Sequence, residues 1–483
     1  MKIDKDKEES LAVVDLENRV FYTSTEIGHG GQGIVYQVKD DMDIAVKISL
    51  DSNGVPVTDD NSIKEISKRL VNIRRLPIPQ NINLSQPLAI LKSHAGYVMT
   101  FMNGMKSFES FLKLKETVEK MPSWLCDKDG NTVVNAEIWA NYCISGGLRT
   151  RLLSLYKVSE LLASLHMNGL VYGDISAGNL MYKKNGQLIS GGLIDADNIN
   201  FEGRGKTYFT PGYGAPEIVT GQNGATIYSD SYAFAVAAFY ILTMMHPFKC
   251  SKVIGITDAE DDDWAKTVTC QSQKDNGDFK DDGSIPWIFD QKDDSNSYGS
   301  IDQVMELFLT PELMALFDNT FGLAHTKPKL RTPLTRWPIA FVHAADKTIR
   351  CHSCGMTFFH ENDKCPYCST KKGDVLKVGT KKQNGKELLF VHEINENIEV
   401  EIPSRCFEPF RIGKGDESII GLKEKDNTIE VRKIKDSCVV YISFENGKEE
   451  ILTGTRILNK DISFTAYYKG PMSEKAVIRI FEE

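Results

Sequence analysis

Residues 171–179 read VYGDISAGN. Asp174 is followed five positions later by Asn179, a spacing that suits a short loop handling a hydroxyl proton at one end and a divalent cation at the other. The pattern H-R-D-L-x-x-x-N carries a histidine and an arginine before its aspartate. Here those places hold Tyr172 and Gly173. The stretch therefore asks whether the loop works, and what replaces the missing pair.

Upstream, residues 28–35 read GHGGQGIV. Gly28, Gly30 and Gly33 fit G-x-G-x-x-G, and Val35 completes G-x-G-x-x-G-x-V. A backbone lying close over phosphates cannot carry Cβ atoms there. Strand signals follow, not a helix, which disfavours a dinucleotide-binding turn. Further on, IAVK ends in Lys47, with Ala45 on the same strand. A lysine so placed holds α- and β-phosphates, oriented by a helix glutamate. Glu65 is the only glutamate between Lys47 and Glu109, and so its partner by elimination. The strand GYVMTFMN supplies Met99, Phe101 and Met102 as wall and hinge of an adenine pocket. After the loop, LIDADN offers Asp195, expected with Asn179 to ligate Mg²⁺. Where D-F-G is the common form this chain has D-A-D, without the flexible glycine or the bulky ring. TPGYGAPE, residues 210–217, and Asp230 at the start of an apolar helix complete the series.

In this order the motifs resemble the eukaryotic-type protein kinase family over roughly residues 20–345. The resemblance implies an α+β, bilobal protein-kinase fold, with an N-lobe over 1–104 and a helical C-lobe over 105–345. It implies ATP and Mg²⁺ as cofactors and phosphoryl transfer to Ser/Thr hydroxyls of a protein substrate. Asp174 would accept or orient the hydroxyl proton, Glu217 would pair with Arg331, and Asp230 would brace the catalytic loop. Ser176 stands where many serine/threonine kinases carry a lysine. Without an arginine before Asp174, the usual pairing with a phosphorylated activation segment is lost, so activity is expected not to depend on Thr207. Two other readings stay open. YGDISAGN also resembles the H-G-D…G-N loop of small-molecule kinases such as aminoglycoside phosphotransferases, and the D-A-D and missing H-R departures fit a non-enzymatic pseudokinase scaffold.

Residues 351–368 read CHSCGMTFFHENDKCPYC, two C-x₂-C knuckles ten residues apart. Cys351, Cys354, Cys365 and Cys368 suit tetrahedral, structural Zn²⁺, and the module over 346–372 resembles a zinc ribbon. His352 and His360 read as exposed polar residues. The zinc is expected to fold this small module, and chelation that melts residues 345–370 but leaves activity intact would confine it to structure. Alternating short strands with turn signals from 373 to 483 predict a separate all-β, sandwich-like domain. The whole arrangement resembles bacterial kinases of tellurite-resistance-associated phosphorylation triads. That resemblance implies a PP2C-type phosphatase and a VWA-domain protein as partners.

Composition sets the outer limits. A chain of 483 residues is too long for one core. Its 41% apolar and 25% charged residues are those of a globular protein. A net charge of -9 argues against non-specific nucleic-acid binding. Residues 258–294 carry twelve acidic against four basic side chains, which predicts a solvated insertion within about 250–300. The longest apolar run, residues 232–245, is too short to span a bilayer. With no visible signal peptide, a cytoplasmic protein without membrane partners is expected.

Overall fold

The computed structural model describes residues 11–30, 33–80, 82–113, 121–126, 129, 136–203, 208–254, 268, 279–299, 305–381, 387–394, 398–408, 416–468 and 475–481. Most of the acidic insertion and Thr207 lie outside them.

The N-terminal unit is a six-stranded antiparallel sheet. Its strands are β1 (Ala12–Val14), β2 (Val20–Gly30), β3 (Gly33–Val38), β4 (Asp41–Ser49), β5 (Pro87–Ile90) and β6 (Gly96–Thr100), in the order β1-β2-β3-β4-β6-β5. One helix, α1 (Asp60–Ile73), packs on it. Asp59 caps α1 by accepting from the Ser62 N–H at 2.9 Å. Leu70 and Ile73 pack with Ala45, Tyr97 and Met99 of the sheet. Val13, Val46, Ile48 and Val98 fill a second cluster, as period-two alternation requires.

The next unit is mainly helical: α2 (Glu109–Leu112), α3 (Ala136–Ile144), α4 (Gly147–Met167), α5 (Pro216–Val219), α6 (Ile227–Thr243), α7 (Ser251–Ile254), α8 (Pro311–Asp318) and α9 (Trp337–Asp346). Leu148, Leu152, Leu155, Leu162 and Leu165 of α4 are fully buried, as their spacing predicts. The apolar α6 runs through the middle, started by a Thr226–Ser229 capping box. Short strands β7 (Lys106–Ser107), β8 (Leu170–Val171), β9 (Leu180–Asn185), β10 (Leu188–Leu193) and β11 (Asn200–Phe201) frame the catalytic-loop sequence.

Two buried arginines tie this unit together. Arg331 makes a bidentate pair with Glu217 at 2.7 and 2.8 Å. Arg151 is fully buried and is satisfied by carbonyls instead. It donates to Ile241 O at 3.0 Å, Tyr142 O at 3.2 Å, and Gly147 O and Phe111 O at 3.3 Å. Ile241 and Tyr142 lie near the C-terminal ends of α6 and α3, where the helix dipole is negative. The guanidinium also lies 3.7 Å from the Tyr142 ring centroid.

The ribbon hairpin β12 (Thr348–Arg350) and β13 (Thr357–Phe359) follows α9. The chain ends in two facing sheets. Their strands are β14 (Val375–Lys381), β15 (Glu387–Glu393), β16 (Glu399–Pro403), β17 (Ser418–Lys425), β18 (Thr428–Lys433), β19 (Val440–Phe444), β20 (Glu449–Ile451), β21 (Thr455–Asn459), β22 (Phe464–Tyr468) and β23 (Ala476–Phe481). One sheet runs β15-β14-β23-β22-β19-β20, the other β16-β17-β18-β21. Val378, Ile442 and Ile478 of the first pack with Ile402, Leu422 and Val431 of the second in one core.

Arg151→Lys keeps the charge but loses the planar fork that reaches four carbonyls. A loss of about 3 kcal/mol is expected in urea unfolding of the helical unit, as when a buried charge loses its partners. A loss below about 0.5 kcal/mol, the range of surface changes, contradicts this role.

Candidate active site

The site lies where the sheet meets the helical unit. Strand β4 carries Ala45 and Lys47 on one face, since side chains alternate along a strand. Ala45 pairs in register with Met99 of β6. Phe101 follows β6 and donates its N–H to Asp43 O at 2.7 Å. Ala45 and Met99 share a cluster with Phe101 packed against it, while the Met102 sulfur lies beside Gly192. In the glycine hairpin, Gly28 pairs with Val35 and Gly30 with Gly33. The two residues at its tip lie outside the described ones. A Cβ on Gly33 would meet Ile48 O at 2.7 Å, so packing alone demands this glycine. A Cβ on Gly28 would meet nothing closer than 3.8 Å. That glycine leaves the backbone open to a close ligand, which fits a phosphate-covering strand.

The Lys47 side chain is 8% exposed. Its ammonium bonds Asp195 and, at 2.9 Å, Asp197. Burial pulls the lysine's pKa down, and the Asp197 and Asp195 charges outweigh it, leaving the pKa above its ordinary value. Burial raises the Asp195 pKa, opposed by Lys47. Glu65 lies on α1 and lines a cavity of about 470 Å³ together with Arg69, Asp197 and Asn198. The expected partner, Glu65, thus shares a cavity wall with Asp197, while the ion pairs of Lys47 run to Asp195 and to an unforeseen residue, Asp197. Its signal was in LIDADN, as a second aspartate two places after the first.

The catalytic-loop sequence is held from below. Asp230, 2% exposed at the start of α6, accepts from Tyr172 N at 2.7 Å, Gly173 N at 3.0 Å and His166 Nε2 at 3.0 Å. The Tyr172 hydroxyl donates to Ile194 O, joining this loop to the residue before Asp195. Gly173 has φ +88°, and a Cβ there would lie 3.2 Å from Asn198 O. The arginine is therefore not merely absent, because its place has a backbone conformation that favours glycine. Asp174 accepts from Thr210 Oγ1 at 2.8 Å. Burial raises its pKa, Thr210 opposes the shift, and the Asp195 charge adds to it. Asn179 donates its amide nitrogen to Asp174 O at 2.8 Å, which leaves its Oδ1 as an oxygen donor. Asp195 and Asn179 thus form a hard-oxygen pair of the kind Mg²⁺ takes.

The four cysteine sulfurs lie within 4.8 Å of one another. Cys351 and Cys368 are 3.6 Å apart, as are Cys354 and Cys365. Tetrahedral Zn–S bonds give S···S separations of about 3.8 Å, so the donor set fits zinc. Each knuckle closes on a left-handed residue, Gly355 (φ +75°) and Ser369 (φ +59°). His352 is exposed as expected, but His360 is only 12% exposed along its side chain.

The ribbon is not a freestanding module. Met356 and Phe359 belong to the core of the helical unit. The Tyr367 ring meets Trp139 edge-on at 5.1 Å, and Arg149 of α4 donates to Thr348 O at 3.1 Å. The sandwich is fastened too, by an Arg405–Asp346 pair at 2.8 and 2.6 Å. Removal of zinc from zinc-loaded protein is therefore expected to lower the thermal unfolding temperature of the helical unit as well as the ribbon. Hydrogen exchange can follow both, and unchanged protection in α3 and α4 would contradict it.

No curated protein matches the chain. The protein kinase domain model matches residues 21–286, more than half of the chain. The match spans the glycine hairpin, Lys47, the Asp174 loop, Asp195 and the A-P-E segment, and on it the chain belongs to the protein kinase domain family.

Proposed function

We propose that the chain is an ATP- and Mg²⁺-dependent kinase that transfers the γ-phosphoryl group to serine or threonine hydroxyls of a protein. Residues 1–104 act as N-lobe and 105–345 as C-lobe. The observation that carries this reading is the convergence of Lys47, Asp174, Asn179 and Asp195 from two units of the chain, with Asp174 bonded to Thr210 of the segment leading into A-P-E. A scaffold has no need of all four. Magnesium bound with ATP neutralises charge on the β- and γ-phosphates. Asp195 and Asn179 Oδ1 hold it, and Lys47, with Glu65 on the adjoining helix, positions the phosphates. Gly28 and Gly30 let the hairpin close over them. Ala45, Met99, Phe101 and Met102 enclose the base. Asp174 receives or orients the proton of the attacking hydroxyl, while Thr210 fixes one of its oxygens.

Other parts of the reading rest on resemblance. The triad kinases support a VWA-domain protein as substrate, a PP2C-type phosphatase as the opposing enzyme, and a bacterial, cytoplasmic setting. Among the described residues no helix is long and apolar enough to cross a membrane. The Cys351, Cys354, Cys365 and Cys368 site holds structural zinc. With Gly173 in the arginine's place, activity does not require a phosphorylated activation segment.

Incubation with Mg²⁺, labelled ATP and candidate proteins tests the reaction. Wild type is expected to label Ser or Thr, and Asp174→Asn to lose about 10²-fold or more in rate. Labelling of an aminoglycoside-like small molecule alone, or none at all, overturns the proposal. The pH–rate profile gives a second check. Asp174 works ionised, and its raised pKa means the charge is lost, and the rate falls, at a higher pH than the ordinary 3.8. Thr210→Ala removes a bond that stabilises the carboxylate, so the acid limb moves to still higher pH. A limb that stays or moves down contradicts the assignment.

A further inference from the structure

Asp197 has no part in the reaction above, yet it is buried against the lysine. Asp195 adopts φ +64°, and Ala196–Asn198 then form a single 3₁₀ turn. That turn swings Asp197 back beneath the ammonium that Asp195 also holds. The Asp197 side chain is 6% exposed, and Arg69 Nη2 of α1 lies 4.0 Å from the same Oδ2 that faces Lys47. Its other oxygen, Oδ1, is buried and accepts no hydrogen bond from the described residues, and Arg69 Nε is likewise buried and donates none to them. The carboxylate is thus committed to cations on either side. A glycine, the usual residue at this place in D-F-G, has no side chain with which to do this.

We propose that Asp197 is a positioning residue that keeps Lys47 in place for the nucleotide phosphates when Asp195 turns to the metal, and that links the lysine to α1 through Arg69. The physical need is plain. Asp195 cannot give its full charge both to a buried ammonium and to a divalent cation. A buried ammonium with one partner withdrawn is strongly destabilised. With two carboxylates beneath it, Lys47 keeps one fixed partner throughout. The lysine's anchor then lies on the same segment as the metal ligand, two residues away, so the two groups are set in register by one turn of backbone.

This inference rests on the reading of the site as one for Mg·ATP, and the experiment separates the two. Affinity for the Mg²⁺ complex of AMP-PNP is measured by calorimetry, with KM for ATP and kcat alongside, for wild type, Asp197→Asn, Asp197→Gly and Glu65→Gln. Loss of a buried charge partner predicts that Asp197→Asn weakens AMP-PNP binding at least about tenfold. KM for ATP is expected to rise by a similar factor while kcat stays within about threefold, a split that general destabilisation would not produce. Asp197→Gly, which restores the commoner residue, is expected to match Asp197→Asn and keeps the test open if one variant folds poorly. Glu65→Gln is expected to bind more tightly than either. Binding by both Asp197 variants within about twofold of wild type, or a fall in kcat at unchanged KM, overturns the proposal. A wild type that binds no Mg·AMP-PNP refutes the kinase reading itself.

Discussion

An ammonium taken out of water has to be neutralised, and in this protein that constraint fixes the site. Lys47 sits almost wholly buried at the end of a strand of the N-terminal sheet. Its counter-charges, Asp195 and Asp197, come from the other unit, about 150 residues along the chain. The attraction between them clamps the sheet to the segment after β10. Backbone hydrogen bonds beside it, Leu193 N to Asn83 O and Ser85 N to Leu193 O, both at 2.9 Å, hold the same junction. Lys47 pairs in register with Val35 on one side and Tyr97 on the other, which ties the glycine hairpin and β6 to the same point. The Tyr172 bond to Ile194 O sets the height of the catalytic loop.

That loop depends on Asp230 in the same way. One buried carboxylate takes up two successive backbone N–H groups and a histidine N–H, a demanding set of charge-assisted bonds. The backbone they impose turns through a left-handed residue at Gly173. A side chain there would crowd Asn198, so the loop has exchanged a phosphate-reading arginine for a fixed turn. In the proposed kinase the chemistry stays with Asp174 and Asn179, and no distant phosphate is needed.

Much of this was legible in the sequence. Gly-x-Gly spacing, the IAVK strand, Asp174 with Asn179, and the four cysteines are local patterns whose chemistry needs those residues at that spacing. The Glu217–Arg331 pair and the Asp230 brace were reached only through resemblance, because nothing local joins residues so far apart. Asp197 was not legible as a lysine partner. Its ion pair depends on the left-handed Asp195 and the single turn after it, a tolerated but not specified conformation for an aspartate. Arg151 reads as an ordinary helix cation, and only the packing of four chain segments around it makes it a buried hub. The sequence makes zinc the agent that folds the ribbon, because so short a segment lacks a core of its own. The structure shows that it borrows one, through Met356, Phe359 and Tyr367. Ribbon, helical unit and sandwich therefore share their packing.

The most direct test is a crystal structure of the full chain with Mg²⁺ and AMP-PNP. The account predicts a metal ligated by Asp195 and Asn179 Oδ1, phosphates on Lys47, and Asp197 still bonded to that lysine. Nucleotide bound elsewhere, or bound with Asp195 and Asn179 away from the metal, would contradict it.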